Sequence, residues 1–239
     1  VQMEMLAYSH ENNVISKQLY TLLNEIGTPM KKQQNEYLFH SGMDANEIFL
    51  LKSGLVHIAL LTSDGKELSL RICKKGDIVG ELTVFSDNPQ YLLSAKVIEP
   101  GELLVINREK LERELMTNSA LTFEFMKWIS DHMRKFQLKI RDLLLHGKKG
   151  ALYSTLIRLS NSFGKKQGDG ILIDLVLTNQ ELANFCSATR ESINRMLTDL
   201  RNLDVIAMTK KGEILIKDIA FLRNEIGCEL CPIQVCNIN

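Results

Sequence analysis

The chain is sparing with several things. It has 5 cysteines, 4 prolines and 1 tryptophan in 239 residues, and residues 1–72 contain no cysteine at all. Its apolar runs, such as ILIDLVL and LLSAKV, are short, far below the roughly 20 residues a membrane span needs. The start, VQMEMLAYSHENN, lacks a basic stretch leading into an apolar one, so no secretory signal is read. A cytoplasmic protein is the expectation, and there thiols stay reduced. Net charge is zero, with 29 basic and 29 acidic side chains, so no global field draws the chain to nucleic acid. No glycine-rich nucleotide loop and no catalytic triad is present, so nothing points to an enzyme. Hydrophobic content of 45% and charged content of 24% are ordinary for a globular protein. The length allows two modest domains.

What is present is organised by period. Residues 37–107 read as short strands broken by turns. Asp64-Gly65, between VHIALLTS and KELSLRIC, signals a hairpin. LLSAKVIEPGELLVINREKL adds two strands around a Pro-Gly turn. Many short strands with regular turns indicate a barrel or roll.

From about Ser119 to His146 there is no Pro or Gly, and the period becomes helical. Ile129, Met133, Phe136, Ile140 and Leu143 step by 4, 3, 4 and 3, the seam of two helices lying side by side. A homodimer is expected from it. Gly147 ends this helix, and a second is expected over about 150–163. GKKQGDG reads as a polar turn, followed by the strand ILIDLVL. From Arg134 to Lys166 there are nine Lys/Arg and one acid, Asp142, whereas residues 1–133 carry 13 basic and 18 acidic side chains. The imbalance fits either a solvated basic face or a patch that meets phosphates.

LTNQELANFCSATRESINRMLTDLRNLDVI carries the DNA-reading pattern. Thr178 with Glu181 forms a capping box. Leu182, Ala183 and Phe185 make an apolar face, and CSA is a tight turn of small residues. Thr189 caps a second helix whose Ile193, Met196, Leu197 and Leu200 face inward. Arg190, Glu191, Ser192, Asn194 and Arg195 are left near its exposed start. This is a helix-turn-helix, whose second helix enters the major groove of duplex DNA. Arg suits guanine and Glu suits cytosine there. VIAMTKKGEILIKD would be the wing, and a short helix over about 218–226 leads into the tail.

That tail, GCELCPIQVCNIN, crowds Cys228, Cys231 and Cys236 into nine residues. Cys-x-x-Cys grips one metal centre in zinc and iron–sulfur sites alike. On spacing alone the two readings stay level. Three thiols are one short of four ligands, so an oxygen, a nitrogen or an exogenous group must supply the last. Cys73 and Cys186 read as small core residues.

Taken together, KSGLVHI, KKGDIVGELTVF, the helix ending RDLLLHG and TNQELANFCSATRESINRML resemble the Crp/Fnr family of bacterial transcription regulators, across nearly the whole chain. The resemblance implies an α+β architecture. It comprises a cyclic-nucleotide-binding-like β-roll over 1–118, a dimerisation helix over 119–147, a winged helix-turn-helix over 148–226 and a cysteine tail over 227–239. It also implies RNA polymerase as a partner and a TGTGA-type palindrome read by Arg190, Glu191 and Arg195. Family members that hold cyclic AMP use a Gly-Glu-Leu segment followed by Arg-Ser-Ala. Gly80-Glu81-Leu82 is present, but Leu93 stands where the arginine belongs. No cyclic nucleotide is therefore expected in the roll, although Arg71 is a conceivable substitute cation, and Glu81 is read as structural. The tail is similar to that of family members from bacilli, in which a C-terminal extension with this spacing holds a 4Fe–4S cluster. By that resemblance Cys228, Cys231, Cys236 and Asp142 would hold one cluster per subunit, with His146 as the alternative fourth ligand. The implied function is an oxygen-responsive, anaerobic regulator, mainly an activator. The rivals are a small-molecule-sensing regulator with a structural zinc tail and a redox enzyme.

Overall fold

The computed structural model describes residues 15–228 and 231–239. The first fourteen residues of the expected roll, and Glu229 and Leu230 within the Cys-x-x-Cys segment, lie outside the described residues. The chain divides into two compact units, one running to Arg134 and the other covering Lys135–Ile238.

The first unit opens with α1 (Lys17–Ile26), capped by the Ser16 hydroxyl accepting from Leu19 N. Then come β1 (Thr28–Lys32), β2 (Tyr37–Phe39), β3 (Glu47–Leu51), β4 (Leu55–Leu61), β5 (Glu67–Cys73), β6 (Ile78–Val79), β7 (Ser94–Glu99) and β8 (Gly101–Asn107). They form two four-stranded antiparallel sheets, ordered β1-β8-β3-β6 and β2-β7-β4-β5. This is the expected roll. Alternation along the strands fills its interior with Phe39, Phe49, Val56, Ile58, Val97 and Leu103. α2 (Arg108–Thr117) and the first turns of α3 (Ser119–Leu145) follow. A second apolar cluster joins Leu19 and Leu23 of α1, Ile48 and Ile106 of the sheet, Leu111 and Leu115 of α2, and Phe125 and Trp128 of α3. α1, β1 and α2 were not anticipated as separate elements. Arg108–Thr117 carries a mean hydropathy far on the polar side, and its two buried leucines alone make too weak a stripe to announce a helix.

α3 runs for 27 residues, as its period requires. Its apolar residues split between two faces. Ile129 is partly buried against its own unit's core beside Trp128. Met133 and Ile140 are exposed, while Phe136 and Leu143 are half-buried. The exposed stripe is Phe123, Met126, Met133, Ile140 and Leu144, with exposed Ser130 and Gln137 completing the alternate positions. A strict three–four repeat thus exists on the helix. It shares Met133 and Ile140 with the seam read from the sequence.

In the second unit α4 (Gly147–Phe163) is buried on every side from Gly150 to Ser160. A Cβ on Gly150 would stand 2.1 Å from His146 Cβ, so only glycine lets α4 leave α3 this closely. β9 (Gly164–Gln167) stands where a polar turn was expected, and it pairs in a hairpin with β10 (Gly170–Ile173), which forms on the expected strand ILIDLVL. α5 (Asn179–Cys186), α6 (Arg190–Asn202), β11 (Ile206–Met208), β12 (Ile214–Ile216) and α7 (Ile219–Glu225) complete the unit. Its sheet is ordered β11-β12-β10-β9.

Candidate functional site

The helix-turn-helix is built as its residues dictate. Thr178 and Glu181 form the reciprocal capping box at the start of α5, and Ser187 turns the chain in the left-handed region at φ 48°. Leu182, Ala183, Phe185 and Cys186 are buried beneath it. Thr189 caps α6, accepting from Ser192 N at 3.2 Å and donating to Ser192 Oγ at 3.0 Å. Ile193, Leu197 and Leu200 point inward, with Met196 half-buried. Arg190, Glu191, Asn194 and Arg195 are exposed on the opposite face. Asn194 Oδ1 accepts from Asn179 Nδ2 at 3.2 Å, which ties the two helices together at that surface. Two cationic forks and a carboxylate stand at the N-terminal end of an amphipathic helix, and such an end is the part that enters a major groove.

The second cluster lies where α3, α4 and the tail meet within the unit of residues 135–238. Asp142 is 3% exposed. Its Oδ2 accepts from Arg158 Nη2 at 2.9 Å and from Ser154 Oγ at 2.5 Å. Its Oδ1 accepts from Arg141 Nε at 3.1 Å and Nη2 at 3.0 Å. Burial would raise its pKa, but the Ser154 and Arg158 bonds and the arginine charges outweigh burial and hold it below the usual carboxylate range. A small cleft beside it is lined by Lys139, Leu143, Ala151, Thr155 and Phe185.

The tail is docked on α4. Arg158 Nη1 donates to the Val235 carbonyl at 3.3 Å, Asn161 Nδ2 to the Cys236 carbonyl at 2.5 Å, and Ile238 N to Ser162 Oγ at 2.9 Å. Val235 and Ile238 are buried. Cys228, Cys231 and Cys236 carry free, half-buried thiols. Burial pushes the Cys236 thiol up, Arg158 opposes it, and the neighbouring charges of Cys228, Cys231 and Asp142 push it further up. Cys236 thus feels the charges of Cys228, Cys231 and Asp142. As they stand, no three His, Cys, Asp or Glu side chains among the described residues are close enough together to hold a metal ion. In donor chemistry the set fits iron or zinc, with soft thiolates and one harder carboxylate. His146, the alternative ligand, is half-buried at the N-cap of α4.

Residues 29–118 match the cyclic nucleotide-binding domain family, and residues 150–225 match the Crp-like helix-turn-helix domain. The chain is 62% identical over 229 residues to the "Anaerobic regulatory protein" of Bacillus subtilis, covering 96% of each chain. The chain belongs to the Crp/Fnr family. It is also 30% identical to the "Lactate racemization regulatory protein" of Lactiplantibacillus plantarum, over 83% of this chain and 90% of that one. Among solved structures, a CooA mutant from Carboxydothermus hydrogenoformans superposes with a TM-score of 0.74 at 21% identity, covering 89% of this chain and 95% of that one. The c-di-GMP responsive global regulator of Xanthomonas campestris superposes with a TM-score of 0.73 at 20% identity, covering 85% and 100%. At these identities the likeness is one of fold.

As a Crp/Fnr regulator the chain is a DNA-binding protein of a family that works as dimers and contacts RNA polymerase, and it is not an enzyme. Among the described residues, no helix is long and apolar enough to cross a membrane. In the roll, Arg71 and Glu81 pair with each other. Arg71 Nη1 donates to Glu81 Oε1 at 2.6 Å, and Nη2 reaches the Ile78 carbonyl at 3.3 Å. Leu93 packs against the roll's core. Cys73 and Cys186 are buried, as a core role requires. Sequence reasoning missed Arg158, Ser154 and Asn161. Their helical spacing on α4 was visible, but nothing in it announced that the tail would return to that face.

Proposed function

We propose that this chain is an oxygen-responsive transcription regulator, mainly an activator, working in the cytoplasm as a homodimer. It binds a TGTGA-type palindrome through Arg190, Glu191 and Arg195 while a 4Fe–4S cluster, one per subunit, is intact. Cys228, Cys231, Cys236 and Asp142 would hold it. When bound, the cluster supplies an oxygen-labile link between the tail and α3. Everything else falls to the chain. The tail lies on α4, α4 packs on α5, and α5 sets the angle at which α6 is offered to DNA. Two recognition helices related by a two-fold axis must stand about 34–36 Å apart to read successive major grooves. Any tie between tail and α3 that favours that spacing shifts the population toward the binding form.

The observation that carries the reading is the docking of the cysteine tail on α4, where Arg158 binds both buried Asp142 and the Val235 carbonyl next to Cys236. The 62% identity to a protein named as an anaerobic regulator supports it. The test is the iron, sulfide and zinc content of protein purified without oxygen, with its visible spectrum before and after air. About four irons and four sulfides per chain, with a brown absorbance that bleaches in air, is the expected result. One zinc and no colour would make the tail a structural clasp and return the search for a signal to the roll.

A further inference from the structure

The outward face of α6 carries Arg190, Glu191, Asn194 and Arg195 near its start, all exposed. Among the described residues, Asn194 alone of these has its side chain hydrogen-bonded to another side chain. Its Oδ1 accepts from Asn179 Nδ2 at 3.2 Å. Asn179 is the first residue of α5, next to the Thr178 cap. The positive end of that helix favours an amide that turns its hydrogens away from the helix, and Asn194 stands where they arrive. Nothing among the described residues meets Asn194 Nδ2. The bond therefore divides the Asn194 amide. Its acceptor is used inside the protein, and its two hydrogens remain for a ligand. They lie one helical turn from Arg190 and beside Glu191 and Arg195, on the face that enters a major groove.

A free asparagine amide reads adenine at two points, donating to N7 and accepting from the N6 amino group. With Oδ1 occupied, the second point is lost. We propose that Asn194 is a specificity-determining residue that reads its base pair as a donor only, and that Asn179 is the positioning residue that makes it so. An amino group that only donates matches guanine, whose O6 and N7 are adjacent acceptors, and thymine O4. At adenine it meets N7 beside a second amino group, and at cytosine it meets only a donor. To read adenine, Asn194 would have to give up Asn179 and leave that amide unpaired in a closed interface, which is costly. The inference rests on the reading of α6 as the helix in the major groove, and it is independent of any metal in the tail.

The test uses the full chain purified without oxygen, unaltered and as Asn194→Ala, Asn194→Asp and Asn179→Ala. Each is first checked for thermal unfolding; the capping box of Thr178 and Glu181 involves neither position. Each protein then selects from a pool of DNA duplexes randomised across both half-sites, and the relative affinity for every base at every position is read from the enriched sequences. In the unaltered chain, the pair that Asn194 reads should favour guanine or thymine over adenine and cytosine by roughly 2–10-fold, as one net hydrogen bond gives. Asn194→Ala should flatten the preference at that pair alone. Asn194→Asp, of the same size but able only to accept, should turn it toward cytosine or adenine. Asn179→Ala frees both amide atoms of Asn194, and adenine should rise at that pair about 5-fold or more while the other positions hold. A profile that Asn194→Ala leaves unchanged at every pair overturns the proposal, as does adenine already dominant there in the unaltered chain. An Asn179→Ala profile identical to the unaltered one overturns the positioning role. A consensus other than a TGTGA-type palindrome overturns that site and leaves this inference standing, because the pair flattened by Asn194→Ala identifies itself. A chain that enriches no sequence overturns the inference and the reading of α6 together.

Discussion

Arg71 and Glu81 form an ion pair of 2.6 Å inside the roll, with side chains 7% and 4% exposed. Arg71 Nε is buried beside it and meets no hydrogen-bond partner among the described residues. The cation that might have met a phosphate is thus already neutralised, and the Gly-Glu-Leu segment supplies the neutralising group. A cyclic nucleotide would have to displace Glu81 and bury an anion against Leu93. Cyclic AMP at millimolar concentration is therefore expected to produce no binding heat and no rise in Tm. Saturable binding in a calorimeter would show that the pair opens.

Breaking the same pair from one side is expected to be costly. Glu81→Gln removes the carboxylate that Arg71 binds and leaves the buried guanidinium with Asp77 as its remaining acidic neighbour; breaking a buried pair from one side destabilises by about 3–5 kcal/mol. Thermal unfolding of the full chain should show it as a lower Tm of the roll, with DNA contacts by α6 untouched. An unchanged Tm would mean that Arg71 finds water or another partner.

The two apolar faces of α3 predict different outcomes. Met133→Glu with Ile140→Glu puts charge on the exposed stripe and should give monomer in sedimentation, with little change in unfolding. Ile129→Ala should leave the dimer intact and lower stability by about 2 kcal/mol, because Ile129 packs on its own unit's core. The reverse pattern would place the dimer contact on the Ile129 face.

Arg190→Ala and Arg195→Ala should each weaken binding to a TGTGA-type site by about 1–3 kcal/mol and relax base preference at one position. Lys211→Ala, in the exposed turn between β11 and β12, should weaken all sequences alike and flatten the salt dependence. Gel-shift titrations on single-base variants of the site separate the two.

Lys139 holds its ammonium 4.8 Å over the Phe185 ring. Burial and then the Arg158 charge push it down to about 7, with Cys186 opposing. Its folded pKa thus lies below the ordinary 10.5. Between these two values the unfolded chain binds more protons, so stability rises with pH from about 7 toward 10.5, and below 7 this contribution is flat. Lys139→Met should remove that rise in the Tm of residues 135–238. A rise that persists in the variant would assign it to another group.

Much of the architecture was legible in local pattern. The capping box at Thr178 and Glu181, the inward Ile193 and Leu197 and the long Pro-free helix are each set by neighbours within one or two turns, and they formed as read. β9 and α2 were not legible. GKKQ becomes a strand only because Ile171 and Leu172 pair with it on one side and with β12 on the other, and α2 is helical because Leu111 and Leu115 find α1.

The sequence by itself determined the roll, the long helix, the winged helix-turn-helix and the set of soft donors in the tail, since these follow from period, caps and spacing. Only the tertiary structure decided which face of α3 is spent inside its unit, that Arg71 answers Glu81, and that Arg158 binds Asp142 and Val235 at once. Those outcomes join residues 10, 16 and 77 positions apart. Burial makes each pairing obligatory, because a charge taken out of water must find its partner wherever the fold has brought one.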